Sequence, residues 1–271
     1  MRRVDFRRNQ IIRNHFAYTK TMFETTVSVP LENEHILDFV RSGVDEFVIE
    51  ADGMSSDSSS AFRKYFSVAC SDTFRFQLKR CLANAVSEAL ALAYKNTYIR
   101  NLLKVDGSDF CQNVLVNVIC IFDSSADMKT VANFLNLDKP LFLDGYYNFR
   151  MRRLKQKWQE LSKLVGNNRY ILEDESLIVE FLQYLSESIP RKAQVLSICF
   201  EEDDYFLCDQ NNKVLPITKS FAKNVTAEEE ALVNAVCIRP QSVRVYCKQM
   251  PSRPFCDMIK DLYPTDFVVV P

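Results

Sequence analysis

LDGYYNFRMRRLKQKWQELSKLV, residues 143–165, is the stretch around which the rest of the chain is arranged. Tyr147, Met151, Leu154, Trp158, Leu161 and Val165 follow one another at steps of four, three, four, three and four. At ~100° per residue these positions fall on one stripe of an α-helix, with the single tryptophan near its centre. Arg150, Arg152, Arg153, Lys155 and Lys157 lie off that stripe, and no acid interrupts them before Glu160. The spacing predicts a helix with one packing face and a basic surface.

Such a helix needs neighbours, and the flanking segments supply them. Leu78, Leu82, Ala85, Ala89, Leu92 and Ile99 predict a long helix over 73–103, its alanines permitting close helix–helix approach. Residues 109–122 are nearly apolar on all sides and predict a central helix. Ser124 and Ser125 cap a further one over 126–135. Gly166 ends the basic helix, and 173–188 forms the next, with Ile178, Phe181, Leu182, Leu185 and Ile189 on one face and Pro190 closing it. Phe62, Tyr65, Phe66 and Ala69 fit a short helix at the other end. A helical bundle over 61–190 follows.

The chain changes character on both sides of the bundle. The serine-rich 54–60 is the natural linker. Before it, 1–53 forms a short α/β portion: a strand at 22–29, a helix over 31–41 with Gly43 past its end, and a strand at 46–50. After the bundle, 191–271 forms a small α/β domain. Strands are expected at 194–200, 205–209, 213–217, 242–247 and 267–270. Thr226 and Glu229 make a capping box ahead of a helix through Val236, and another helix covers 252–262. The last strand–helix–strand unit implies parallel strands. The fold class is α+β.

Composition removes several function classes. Lys plus Arg number 34 against 35 acids, so global charge directs the 271-residue chain to neither nucleic acid nor membrane. Five glycines, with no GxGxxG and no Walker sequence, leave no phosphate-cradling loop. Nine scattered cysteines without a CxxC pair read as buried, reduced thiols rather than zinc ligands, which fits the cytoplasm. The basic N-terminus lacks the apolar segment of a secretory signal. The apolar run 114–122 reaches half of a membrane span, so no insertion is expected. The contiguous acids at 201–204 repel one another and face water instead of spacing ligands for a cation. The two histidines, His15 and His35, lie in the first part of the chain, leaving the main body without a histidine for nucleophile activation. No catalytic residue, cofactor or metal site is expected; the protein reads as non-enzymatic, with an enzyme of unrecognised type, using carboxylate or lysine chemistry, as the third reading.

Leu143-Asp144-Gly145-Tyr146-Tyr147-Asn148-Phe149-Arg150-Met151 resembles a motif of the YtxC family of sporulation proteins from spore-forming Firmicutes. That motif is an acid, Gly, aromatic, then Phe-Arg-aliphatic, opening a basic helix. The capped helix from Thr226, followed by Arg239-Pro240 and the strand from Ser242, is similar to that family's tail. The resemblance covers roughly 90–271 and rests on Asp144, Gly145, Phe149 and Arg150 together with the order of the pieces. Asp144 stands where Glu is expected. Membership implies a bacterial protein linked to endospore formation, and implies no reaction, cofactor or ligand. Arg150, Arg152, Arg153, Lys155 and Lys157 are then the candidate interaction surface. A protein partner is the first expectation. The alternative is a nucleic-acid-binding accessory role using this helix and the basic arm at 1–20.

Overall fold

The computed structural model describes residues 22–167, 170–202, 204–221 and 225–270. The basic arm at 1–20 lies outside the described residues. The chain divides into two compact units, residues 1–85 with 136–142, and 86–135 with 143–271. The fold is α+β, with a four-stranded sheet in each unit.

In the first unit β1 (Met22–Pro30) leads through a turn of 3-10 helix into α1 (Glu34–Glu50). Then come β2 (Met54–Ser59), β3 (Arg63–Ser71), the start of α2 (Arg75–Ala89) and the two-residue β4 (Leu141–Phe142). Strand order is β2-β3-β1-β4, antiparallel except for β1 with β4. Ile36, Leu37, Val40, Val44 and Val48 of α1 form its buried face, and Val27, Val29, Phe66, Val68 and Cys70 are buried in the strands.

Four expectations fail in this unit. Gly43 does not end a helix: α1 runs through it to Glu50 and absorbs the strand expected at 46–50. The glycine serves packing, because a Cβ there would lie 3.0 Å from the Cβ of Ala85. The helix expected from Phe62, Tyr65, Phe66 and Ala69 is β3, whose buried Phe66, Val68 and Cys70 alternate with period two. The serine-rich linker is the edge strand β2, exposed at every position. An edge strand with solvent on both faces needs no apolar side chains, so its pattern looks like a linker.

The second unit completes α2 and continues through one turn of π-helix, Leu90–Tyr94, into α3 (Lys95–Leu103). It then holds α4 (Phe110–Phe122), α5 (Ser124–Ala132), α6 (Leu143–Arg150), α7 (Arg152–Gly166), the short α8 (Tyr170–Glu173) and α9 (Glu175–Glu187). β5 (Val195–Glu201), β6 (Asp204–Cys208), α10 (Ala227–Ile238), β7 (Ser242–Cys247), α11 (Arg253–Leu262) and β8 (Thr265–Val269) complete it. The sheet order is β6-β5-β7-β8, an antiparallel hairpin followed by two parallel pairings through α10 and α11. The capping box forms as expected: Glu229 N donates to Thr226 Oγ1 at 3.2 Å, and Thr226 N donates to Glu229 Oε2 at 2.9 Å.

α4 is buried from Val114 through Cys120, as its all-round apolarity requires. Val114, Leu115, Ile178 and Leu182 share one hydrophobic cluster with Leu196, Ile198, Val243 and Val245. Bundle and C-terminal sheet therefore have a common core, and the boundary expected at 190 does not separate them. The strand expected at 213–217 reduces to a bridge between Cys208 and Val214, with Leu215 N donating to Leu207 O at 2.8 Å. All nine cysteines are unpaired, and six are buried. Burial pushes the thiols of Cys111, Cys120 and Cys237 up to about 12, which holds them as protonated thiols near neutrality. Among the described residues no helix is long and apolar enough to cross a membrane.

Candidate functional site

The basic stretch is two helices. Met151, at φ −96° and ψ 22°, separates α6 from α7, so the single helix expected over 143–165 is broken at its second stripe position. The stripe itself holds. Met151, Leu154, Trp158 and Val165 are buried, and Tyr147 and Leu161 are half-buried. The bend lets α6 and α7 each keep an inward face.

The five basic residues separate into two groups. Lys157 Nζ donates to Asp127 Oδ1 at 2.8 Å and pairs with Asp123. Lys155 lies with Nζ 3.6 Å from the centre of the Tyr147 ring and 3.4 Å from Asn148 Oδ1. Arg150, Arg152 and Arg153 are exposed, and among the described residues none of them pairs with an acid. Beside them Phe149 is 73% exposed. Asp144 and Gly145, in the first turn of α6, are half-buried. Of the five cations expected at one surface, three arginines are exposed without an acid partner among the described residues, next in sequence to an exposed phenylalanine.

Behind this surface lies a cluster that periodicity did not disclose. Lys95 and Asn96 follow the π-turn at the end of a run, residues 89–96, that is buried at every position. Lys95 is fully buried and donates to Asp127 Oδ2 at 3.0 Å while also pairing with Asp123. Trp158 Nε1 donates to Asp127 Oδ2 at 2.8 Å. Asp123 is the corner residue between α4 and α5, and Asp127 lies in the first turn of α5, where a carboxylate complements the helix dipole. Two ammonium groups and two carboxylates therefore alternate at one point, with Lys95, Asp127 and the indole on the buried side and Lys157 reaching solvent.

From Asn96, the next residue of α3, a second network begins. Asn96 Nδ2 donates to Asn117 Oδ1 at 2.7 Å, and Arg100 donates to Asn96 Oδ1 at 2.8 Å and Asn113 Oδ1 at 2.9 Å. Asn113 Nδ2 donates to Glu229 Oε1 at 2.8 Å, which joins α3 and α4 to the capping box of α10. Each link satisfies a polar group that would be costly to bury alone. The signal for this in the sequence is Lys95-Asn96 closing the apolar run LALAY.

The electrostatics of the ion cluster set a pH window. Burial raises the Asp123 carboxyl, but the ammonium groups of Lys95 and Lys157 outweigh it and hold the group below the usual carboxylate range. Burial also lowers Lys157, and its bonds to Asp123 and Asp127 outweigh that, holding it above the usual lysine value. A depressed carboxylate contributes stability above its unfolded pKa of about 3.9, lost as pH falls through its folded value. A raised lysine contributes below its unfolded pKa of about 10.4, lost as pH rises through its folded value. Thermal melts should therefore show a plateau across neutral pH and losses at both extremes. Asp123→Asn should lower the plateau and flatten the acid limb. An unchanged acid limb in that variant would remove Asp123 from the cluster's energetics.

The cluster is not arranged for turnover. Lys95 is sealed from solvent, and each carboxylate already accepts from two cations. His35 is exposed in the first turn of α1 and belongs to the other unit; His15 lies outside the described residues. Among the described residues no group of three or more His, Cys, Asp or Glu side chains could hold a metal ion. Comparison with protein-family models, with curated proteins and with solved structures finds no match to this chain.

Proposed function

We propose that this chain is a non-catalytic protein acting by contact with an acidic protein partner, through Phe149, Arg150, Arg152 and Arg153 where α6 meets α7. The observation that carries this reading is Phe149, a large ring 73% exposed beside three arginines. Aromatic residues and arginines are the types in which protein interfaces concentrate binding energy. Three guanidinium groups without an acid among the described residues favour a partner of opposite charge. Lys157 is committed to Asp123 and Asp127 and Lys155 to Tyr147, which interrupts a track of the kind nucleic-acid phosphates follow. Phe149 and Arg150 also belong to the string that resembles the YtxC motif. That resemblance supports a cytoplasmic role in sporulation.

The test is a triple variant, Phe149→Ala with Arg152→Glu and Arg153→Glu. Each change is at an exposed position and should alter stability by no more than about 0.5 kcal/mol. In a spore-forming host, the variant at parental protein level should melt normally and lower spore yield. Normal spore yield would remove the sporulation role. DNA and RNA should bind no tighter than the roughly micromolar non-specific range at physiological salt. A tight, salt-sensitive nucleic-acid complex lost in the variant would replace the protein-partner reading.

A further inference from the structure

A sheet edge presents unpaired backbone donors and acceptors, so each edge needs a covering or a deterrent. In the second unit the β6 edge is covered: the chain returns along it, Val214 bridging Cys208 and Leu215 N bonding to Leu207 O. In the first unit the β2 edge is a polar serine strand whose Asp57 pairs with Arg41. The β8 edge has neither protection. Among the described residues nothing pairs with its outer side. Its run Val268, Val269 and Val270 is 39%, 60% and 41% exposed, and Asp266 is the one charge between Thr265 and Val270.

We propose that the outer edge of β8 pairs antiparallel with the same edge of a second copy of this chain, with the two-fold axis at Val268. The backbone sets the register. Val270 N donates inward to Cys247 O, so by alternation Phe267 and Val269 direct their N–H and C=O groups outward. An axis at Val268 puts Phe267 opposite Val269 of the second copy, twice over. Every outward donor of these two residues then meets an outward acceptor, in four hydrogen bonds. The axis also faces Val268 with itself and keeps like charges apart, because each Asp266 lies opposite Val270 of the other copy.

The side chains agree with that register. Cys199 is the partner of both Phe206 and Tyr246, and Tyr246 is the partner of Val268. These four residues form one partly exposed row across the open face of the sheet. Pairing at Val268 joins that row to its counterpart in an eight-stranded sheet. Such closed, isologous pairing is the commonest symmetry of homo-oligomers. A strand this short buries far less than the ~1,600 Å² of a standard interface, so the dimer should be concentration-dependent in the micromolar range.

Sedimentation of the full chain from ~1 μM to ~1 mM is the first measurement. The expected result is a monomer that becomes a dimer. Val269→Pro removes only an outward N–H and leaves the bonds to β7, so it should stay monomeric with an unchanged circular dichroism spectrum. If proline unfolds the strand, Val268→Lys serves instead, since it sets two like charges face to face at the axis. Cross-linking reads the register. Under mild oxidation Val268→Cys should form a disulfide-linked dimer absent from the parent, because paired Cα atoms there lie about 4.5 Å apart. Asp266→Cys should not, its two copies being roughly 14 Å apart along the strands. A parent still monomeric at ~1 mM, or a folded Val269→Pro or Val268→Lys variant that dimerises like the parent, would overturn the proposal. Cross-linking through Asp266→Cys and not Val268→Cys would do the same.

Discussion

Replacing Asp127 with alanine should cost about 3–5 kcal/mol, the range measured when one partner of a buried ion pair is removed. The cost comes from what is left behind. Lys95, fully buried, retains only Asp123, which it must still share with Lys157, and Trp158 Nε1 loses its acceptor. A domain has only about 5–15 kcal/mol in total, so the variant should be largely unfolded at mild denaturant concentrations. Urea melts give the number. A double-mutant cycle adding Lys95→Met separates the two causes: with the buried cation gone, Asp127→Ala should cost clearly less than it does alone. An Asp127→Ala variant within about 1 kcal/mol of the parent would mean the cluster is hydrated, contrary to its burial.

Trp158→Ala should cost a similar ~3–5 kcal/mol for a different reason, the cavity left by the largest buried side chain. Part of the loss is the hydrogen bond to Asp127 at 2.8 Å. Trp158→Phe keeps a ring in the site and removes the donor, and should cost about 1–3 kcal/mol, near the penalty for one unsatisfied buried group. The expected order of melting is parent, phenylalanine, alanine. A phenylalanine variant as unstable as the alanine one would make the bond to Asp127 the dominant interaction of the indole. An alanine variant that melts like the parent would mean that the stripe of α7 does not face the core.

Much of the second unit was legible because its residues obey a single period. α4 is apolar on every face and is buried on every face; the box from Thr226 to Glu229 caps α10 as written. The first unit was harder to read. Phe62, Tyr65, Phe66 and Ala69 satisfy a helical spacing by coincidence, while the strand's own signal is the alternation of Phe66, Val68 and Cys70. Gly43 reads as a terminator until the packing of Ala85 against it is known. Such contacts are long-range and leave no mark on local periodicity.

The site was legible in part. The stripe through Trp158 gave α7 its correct face, and the arginines their exposure. Lys157 is different: spacing places it at the flank of the stripe, and the nearby Asp123 and Asp127 draw it into the ion cluster. Lys95 was hidden because it is a cation at a stripe position, between Leu92 and Ile99, and the acids that permit its burial, Asp123 and Asp127, come from other parts of the chain. Charges drawn into the core and charges left exposed are thus mixed along one short sequence, and only packing separates them.

That separation can be measured by one affinity capture. Tagged parent and the Phe149→Ala, Arg152→Glu, Arg153→Glu variant, matched for melting temperature, are used to capture partners from the same lysate, with and without nuclease. The expected result is a protein with an acidic binding segment, retained by the parent after nuclease treatment and weakened by roughly tenfold or more in the variant. Equal capture by parent and variant, or a complex that nuclease dissolves, would contradict a protein contact through Phe149 and its arginines.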